Sequence, residues 1–324
     1  MTTASLQKSP SLADSCTSST ATADGPTPVS SAAAYPVPQC PAAVPTDARI
    51  ETPRIVIESC VSRRLPDLNE IWRYRELLYF LTWRDIKVRY KQSVLGAGWA
   101  ILQPLATMIV FSLFFGRIGQ MPSGEVPYPI FVLAGLLPWF FFSNALTAAS
   151  QSVVGSQNLI TKVYFPRLLI PMAAVAAGGV DFAVSFSLLA VMMAVYGLGL
   201  GLQALLLPLL LLAMVVATLG AGLLLAALSV TYRDVRHVVP FMVQLWMFMT
   251  PAIYMHGAES FHPYLRFALS LNPANGLIAN FRAATLGGQL DFLSLAGSGV
   301  ISLWILLLGC WYFGRVERSF ADVI

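Results

Sequence analysis

From residue 96 onward the chain alternates long apolar runs with short polar links. The runs fall at about 97–116, 128–149, 169–196, 203–229, 238–256 and 293–313. Crossing a hydrocarbon core of about 30 Å takes roughly 20 helical residues, and each run approaches that length. None shows the strict in-out alternation of a barrel strand. Backbone groups in lipid must also be paired within their own segment, so the pattern predicts helices. The predicted class is an all-α membrane protein with six transmembrane helices. The fourth run carries no charge over 203–229.

Between the fifth and sixth runs, residues 257–292 are apolar but broken, with Asn272-Pro273 and Gly287-Gly288 as the breakers. Apolar pieces this short suit re-entrant or interfacial helices better than crossings. The reading is two half-helices dipping back from the outer face, with an interfacial loop on the bilayer as the alternative. Before the runs lies a different kind of sequence. Residues 1–48 contain 32 Ser, Thr, Ala or Pro and show no apolar periodicity. Such a stretch buries too little to offset its chain entropy, so 1–66 is expected to be a disordered cytoplasmic tail. It lacks the basic start and apolar stretch of a signal peptide.

Composition sharpens the class. Of 324 residues, 56% are hydrophobic and only 11% charged, against about 25% charged in soluble domains. That excludes an ordinary water-soluble globule. The formal charge of +4 is too small to argue for nucleic acid, and no basic run is interleaved with aromatics in a soluble domain. Cys16, Cys40, Cys60 and Cys310 show no paired spacing, so neither a disulfide framework nor a metal site is read.

The distribution of cations sets an orientation. With six spans, one side receives Arg73, Arg75, Arg84, Lys87, Arg89, Lys91, Lys162, Arg167, Arg233, Arg236, Arg315 and Arg318. The other receives Arg117, Arg266 and Arg282. Twelve against three places both termini in the cytoplasm by the positive-inside rule.

Three cytoplasmic pieces stand out. In residues 67–93, Asp67 and Glu70 resemble a capping box. There Trp72 and Trp83 interleave with Arg73, Arg75, Arg84, Lys87 and Arg89. A basic helix carrying tryptophans reads as an amphipathic interfacial connector touching membrane lipids. Its sharper role is a lever between membrane and partner. The link 151–168 is predicted to hold a short helix over 158–164, stopped by Pro166. Polar Asn158, Thr161 and Lys162 beside Leu159, Ile160, Val163, Tyr164 and Phe165 suit a knob for a partner's groove, or a plain helix-turn. The turn 230–237, with Arg233, Asp234 and Arg236, reads as a helix-end anchor.

Within the spans, Asp181 is the only acid. An intramembrane carboxylate is a functional candidate by default. The competing and preferred reading is an inter-helix hydrogen bond, because no intramembrane Lys, Arg or His answers it. Dense aromatics belong to the interfacial belt or line a passage, where flat rings can stack on sugar faces. The lining candidates are Phe111, Phe114, Trp139, Phe140, Trp246 and Phe248. No phosphate loop, dinucleotide fingerprint or metal spacing occurs. A bundle without an energy-coupling motif, but with a basic lever and a docking knob, suggests a subunit powered by a separate ATPase.

The stretch WRDIKVRYKQSVLGAGWAILQPL (83–105) resembles the approach to the first span of type 2 ABC transporter permeases that export polysaccharides. NLITKVYFPRLLIP (158–171) resembles their first coupling helix, and YRDVR (232–236), LNP (271–273) and FADVI (320–324) match in order. The resemblance covers about 68–324, with 94–324 as the transmembrane domain. It implies a homodimer, two copies of a cytoplasmic ABC ATPase, and a coupling helix at 158–166. It also implies an interfacial connector at 69–91 and re-entrant gating helices at 257–290. The implied substrate is a lipid-linked glycan of O-antigen, teichoic-acid, capsule or galactan type, and the implied location is the cytoplasmic (inner) membrane. The resemblance further implies a transport subunit that is no enzyme and needs no cofactor itself, ATP and Mg being bound by the partner. An exporter of small molecules, drugs or lipids is the alternative. The expected passage lies between two subunits, along the first, second and fifth spans.

Overall fold

The apolar runs form helices in the computed structural model, which describes residues 68–91, 96, 98–119, 126–199, 201–250 and 272–317. Short α1 (Leu68–Arg73) and longer α2 (Arg75–Lys91) precede α3 (Gly98–Phe111), which continues with π-type pairing over Ser112–Ile118. Next come α4 (Tyr128–Gly155), the single turn α5 (Gln157–Ile160) and α6 (Leu169–Val195). A tight 3-10 segment, Leu202–Leu206, leads into α7 (Leu207–Thr231). The remaining helices are α8 (Val235–Met249), α9 (Pro273–Leu286) and α10 (Phe292–Val316). No strand occurs among the described residues.

Five helical segments are long and apolar enough to cross a membrane: Gly98–Ile118, Tyr128–Gly155, Leu169–Val195, Leu202–Thr231 and Phe292–Val316. They match the first four predicted runs and the last. The fifth run, 238–256, is described only as far as Thr250. Its helix α8 has 15 residues, about 22 Å of rise against a core of about 30 Å, so six crossings are not counted here. The tail 1–66 and the first predicted half-helix, 257–271, lie outside the described residues.

α4 is the hub. Its apolar sequence is nearly unbroken from Tyr128 to Leu146, and it packs against α3, α6, α7, α8 and α9. Small residues set how closely the neighbours approach. A Cβ on Gly178 of α6 would lie 3.0 Å from Ala145, and one on Gly222 of α7 would lie 2.8 Å from Ala149. The α7–α10 contact is tighter still: a Cβ on Gly220 would lie 2.6 Å from the Leu306 backbone, and one on Gly309 would lie 2.5 Å from the Gly220 carbonyl oxygen. In lipid, where helices gain little by leaving an apolar solvent, such backbone approach supplies much of the association. Gly220→Val should therefore part α7 from α10 and cost about 3 kcal/mol, the upper end for overpacking, because backbone cannot give way. A lower unfolding temperature of the detergent-purified chain, with Gly179→Val as an unaffected control in open space, checks this.

The breakers of 257–292 act as caps. Asn272 accepts a hydrogen bond from the Ala274 N–H at 3.1 Å, and Pro273 takes the first helical position of α9. Gly287 ends α9 with φ of 76°, the left-handed conformation that glycine adopts freely. Asn280 then closes the α9–α10 hairpin. Its Nδ2 donates to the Asp291 carbonyl at 3.2 Å, and its Oδ1 accepts from the Asp291 N–H at 3.0 Å. Ala274, Leu277, Ile278 and Phe281 are buried, with α9 packed on α4, α7 and α10. This segment therefore sits inside the bundle. Of the two readings left open, an interfacial loop does not hold for 273–286.

Candidate functional site

At one end of the bundle, the predicted lever and the predicted knob share a hydrophobic cluster. Leu81 of α2 is buried with Phe165, Leu169, Ile170 and Ala173, and Ile71, Tyr74, Leu77, Leu78, Leu159 and Ile160 pack around them. The knob divides cleanly. Leu159, Ile160 and Phe165 turn inward and Pro166 is half-buried, while Asn158, Thr161, Lys162, Val163 and Tyr164 are exposed. Tyr164 is 92% exposed, an aromatic ring presented whole to its surroundings. The helix is shorter than the sequence suggested, ending at Ile160 rather than 164. Burial of Phe165 pulls the chain off the helix axis, and the ring of Pro166 restrains the residue before it from helical geometry.

The knob is tied to its neighbours. The Arg167 guanidinium donates to the Glu317 carbonyl oxygen at 2.6 Å, and its backbone N–H donates to the Glu317 carboxylate at 3.3 Å. Burial pushes the Glu317 carboxyl above the usual carboxylate range, against the opposing pull of Arg167. The α7–α8 turn joins through Gln151 Nε2, which donates to the Arg236 carbonyl oxygen at 3.5 Å. Among the described residues no ion pair links Arg233, Asp234 and Arg236.

The α1–α2 segment carries two different faces. Trp72 of α1 and Trp83 of α2 are exposed, with Arg75 5.6 Å and Lys87 5.9 Å from the respective ring centres. Arg73 is exposed and Arg84 pairs with Asp85 at 2.9 Å. The other face lies along α6. Leu81 shares a buried cluster with Leu169, Ile170 and Ala173, while Arg89 and Tyr90 both reach Asp181. Leu81 precedes Arg89 on α2 as Leu169, Ile170 and Ala173 precede Asp181 on α6, so the two helices run side by side in the same direction. Asp181 is the thirteenth of 27 residues in α6, and α2 therefore carries Arg89 to the middle of that helix. A helix wholly in the headgroup plane does not describe this arrangement.

Asp181 is thus answered, by Arg89 and Tyr90, where the sequence offered no intramembrane cation. The ion pair was hidden because Arg89 precedes the first span and lies 92 positions away. Beyond the pair opens a cavity of about 320 Å3 between the end of α2 and helices α3, α4 and α6. Gln103, Asn144 and Ser185 add polar groups to its wall, and Trp99 and Phe140 add rings. Ser185 also donates to the Ala100 carbonyl at 2.8 Å, holding the start of α3 against α6. Gln103 and Asn144 escaped the sequence reading although both interrupt predicted spans, which was the signal available.

The six aromatic lining candidates do not converge. Phe140 faces the cavity. Trp246 packs edge-to-face on Phe142 at 5.5 Å, on the opposite side of α4, and Phe248 is exposed on α8. Phe111 stacks at a tilt with Phe115 at 5.7 Å, and Phe114 is exposed. Trp139 is a correction: it is 2% exposed and packed against Phe142 in the core, with no face left for a passage.

Comparison with known proteins places this arrangement. The family model described as ABC-2 type transporter matches residues 76–286, from the lever to the end of α9. The chain belongs to the ABC-2 type transporter family. Its similarity to two O-antigen export permeases extends over most of its length. It is 32% identical over 241 residues to the O-antigen export system permease protein RfbA of Myxococcus xanthus, covering 73% of this chain and 92% of that one. It is 26% identical over 251 residues to the RfbA of Klebsiella pneumoniae, covering 77% and 95%. A shorter match, 33% over 76 residues, links it to the polysialic acid transport protein KpsM of Escherichia coli, covering 24% and 30%. With five crossing-length helices, this ABC-2 type transporter chain is a multi-pass membrane protein.

Proposed function

We propose that this chain is the membrane-spanning permease subunit of an ATP-driven exporter, moving a lipid-linked polysaccharide from the cytoplasmic to the outer face of the inner membrane. The observation that carries the reading is the shared cluster of knob and lever. A push on Tyr164 is delivered to Phe165, through it to α2, and from Arg89 to the middle of α6. That is a continuous packed route from a docking surface to the membrane interior, in a chain similar over most of its length to two O-antigen export permeases.

In this reading a cytoplasmic ATPase, in two copies on a homodimer of the permease, grips residues 158–166. Its nucleotide states differ in affinity for the knob, and that difference shifts the bundle between closed and open arrangements. Both termini lie in the cytoplasm, α8 belongs to a sixth crossing, and α9 is part of the outer gate. The test combines two measurements. Deleting the gene should abolish surface polysaccharide while its lipid-linked precursor accumulates inside, and the purified chain should bring down an ATPase. Normal surface polysaccharide in the deletion strain, or purification free of any ATPase under mild detergent, would overturn it.

A further inference from the structure

The cavity beside the Arg89–Asp181 pair has a lining that export by itself does not explain. It sits at the middle of α6, where lipid offers polar groups no partner. Yet the carboxamides of Gln103 and Asn144 both face it, exposed and without a hydrogen bond among the described residues. Groups of this kind at such depth need water or a polar occupant. The chemistry of the wall selects the occupant. Arg89 and Asp181 neutralise each other, so no excess cation remains to hold a phosphate, and an anion would meet the Asp181 carboxylate. The two carboxamides supply donors and acceptors in equal measure, as a polyhydroxylated ring requires. Trp99, largely exposed on α3, offers a flat face for the apolar side of such a ring. A volume of about 320 Å3 lies at the small end of ligand sites, which span about 300–1,000 Å3. That suits a single sugar residue and excludes a folded glycan.

We infer that this cavity is a saccharide subsite, in which one neutral sugar ring of the exported polymer stacks on Trp99 and is hydrogen-bonded by Gln103 and Asn144. The site rests on the polysaccharide reading above and adds to it a place within each subunit. It lies on the face of α4 opposite Trp246 and α8, away from the aromatic residues of α8. The Arg89–Asp181 pair forms one wall, so movement of α2 reshapes the site directly.

The test uses the full-length chain in cells that make their own lipid-linked polymer, with synthesis switched off by blocking the first sugar transfer. Asn144→Cys and, separately, Gln103→Cys are treated with N-ethylmaleimide, using the unaltered chain as the background. Both positions should be labelled when the polymer is absent, and labelling should fall at least threefold when it is being made. Two variants guard against one that fails to reach the membrane. Equal labelling in the two states, with normal surface polymer, would overturn the subsite while leaving the export reading intact. Absence of labelling in both states would show a cavity closed by lipid or by a second copy, and would overturn it as well. If the deletion strain displays normal surface polymer, the export reading falls and takes the subsite with it.

Discussion

Asp181→Leu is expected to lower surface polysaccharide at least tenfold, and the double variant Arg89→Leu with Asp181→Leu is expected to recover the fold without recovering export. The single change leaves the Arg89 guanidinium without its carboxylate partner at the middle of α6. Removing one member of a buried pair costs about 3–5 kcal/mol, and an exposed pair is worth about 0–1. The side chains here are 38% and 22% exposed, so about 2 kcal/mol is the reasonable scale. Replacing both members by apolar residues removes the stranded charge, and such replacements are often neutral in stability. If the pair merely held the fold, the double variant would export normally. If it transmits motion from α2 to α6, stability returns and transport does not. Unfolding temperature in detergent and surface polysaccharide, measured on the same four chains of the cycle, separate the two outcomes.

Tyr164→Ala should reduce export about tenfold while leaving stability within about 0.5 kcal/mol, since substitutions at exposed positions rarely cost more. The ring is almost wholly exposed and contributes nothing to the shared cluster, so only a docking role makes it matter. Its neighbour supplies the contrast. Phe165→Ala empties a buried position between α2 and α6 and should cost about 3–5 kcal/mol. It ought to lower the amount of folded protein as well as transport. Lys162→Glu, which reverses a charge on the same exposed tip, is expected to follow Tyr164→Ala in effect. Full export by Tyr164→Ala, with normal stimulation of the ATPase, would remove the knob from the mechanism.

The sequence carried the helices well because their signal is local. A run of about twenty apolar residues has few alternatives in lipid, and five of the six runs emerged as crossing-length helices. The breaks at Asn272-Pro273 and Gly287-Gly288 were equally readable, because each acts within a few residues of itself. What could not be read was lateral. The pairing of Arg89 with Asp181 joins residues that local pattern assigns to different layers, one to the headgroups and one to the bilayer interior. The burial of Trp139 was hidden for a related reason. Along α4 both faces are apolar, and hydropathy does not say which of them meets a neighbour. The division of the knob into Phe165 inside and Tyr164 outside likewise depends on α2 arriving from elsewhere in the chain.

α4 is enclosed by its own chain on almost every side, touching five other helices. A second copy of the protein therefore finds little of α4 to touch. The large apolar side chains left uncovered by the chain itself lie elsewhere, along α3, α8 and α10. Substitutions on the outward sides of those three helices leave the packed interior untouched, whereas changes along α4 will register as loss of folding.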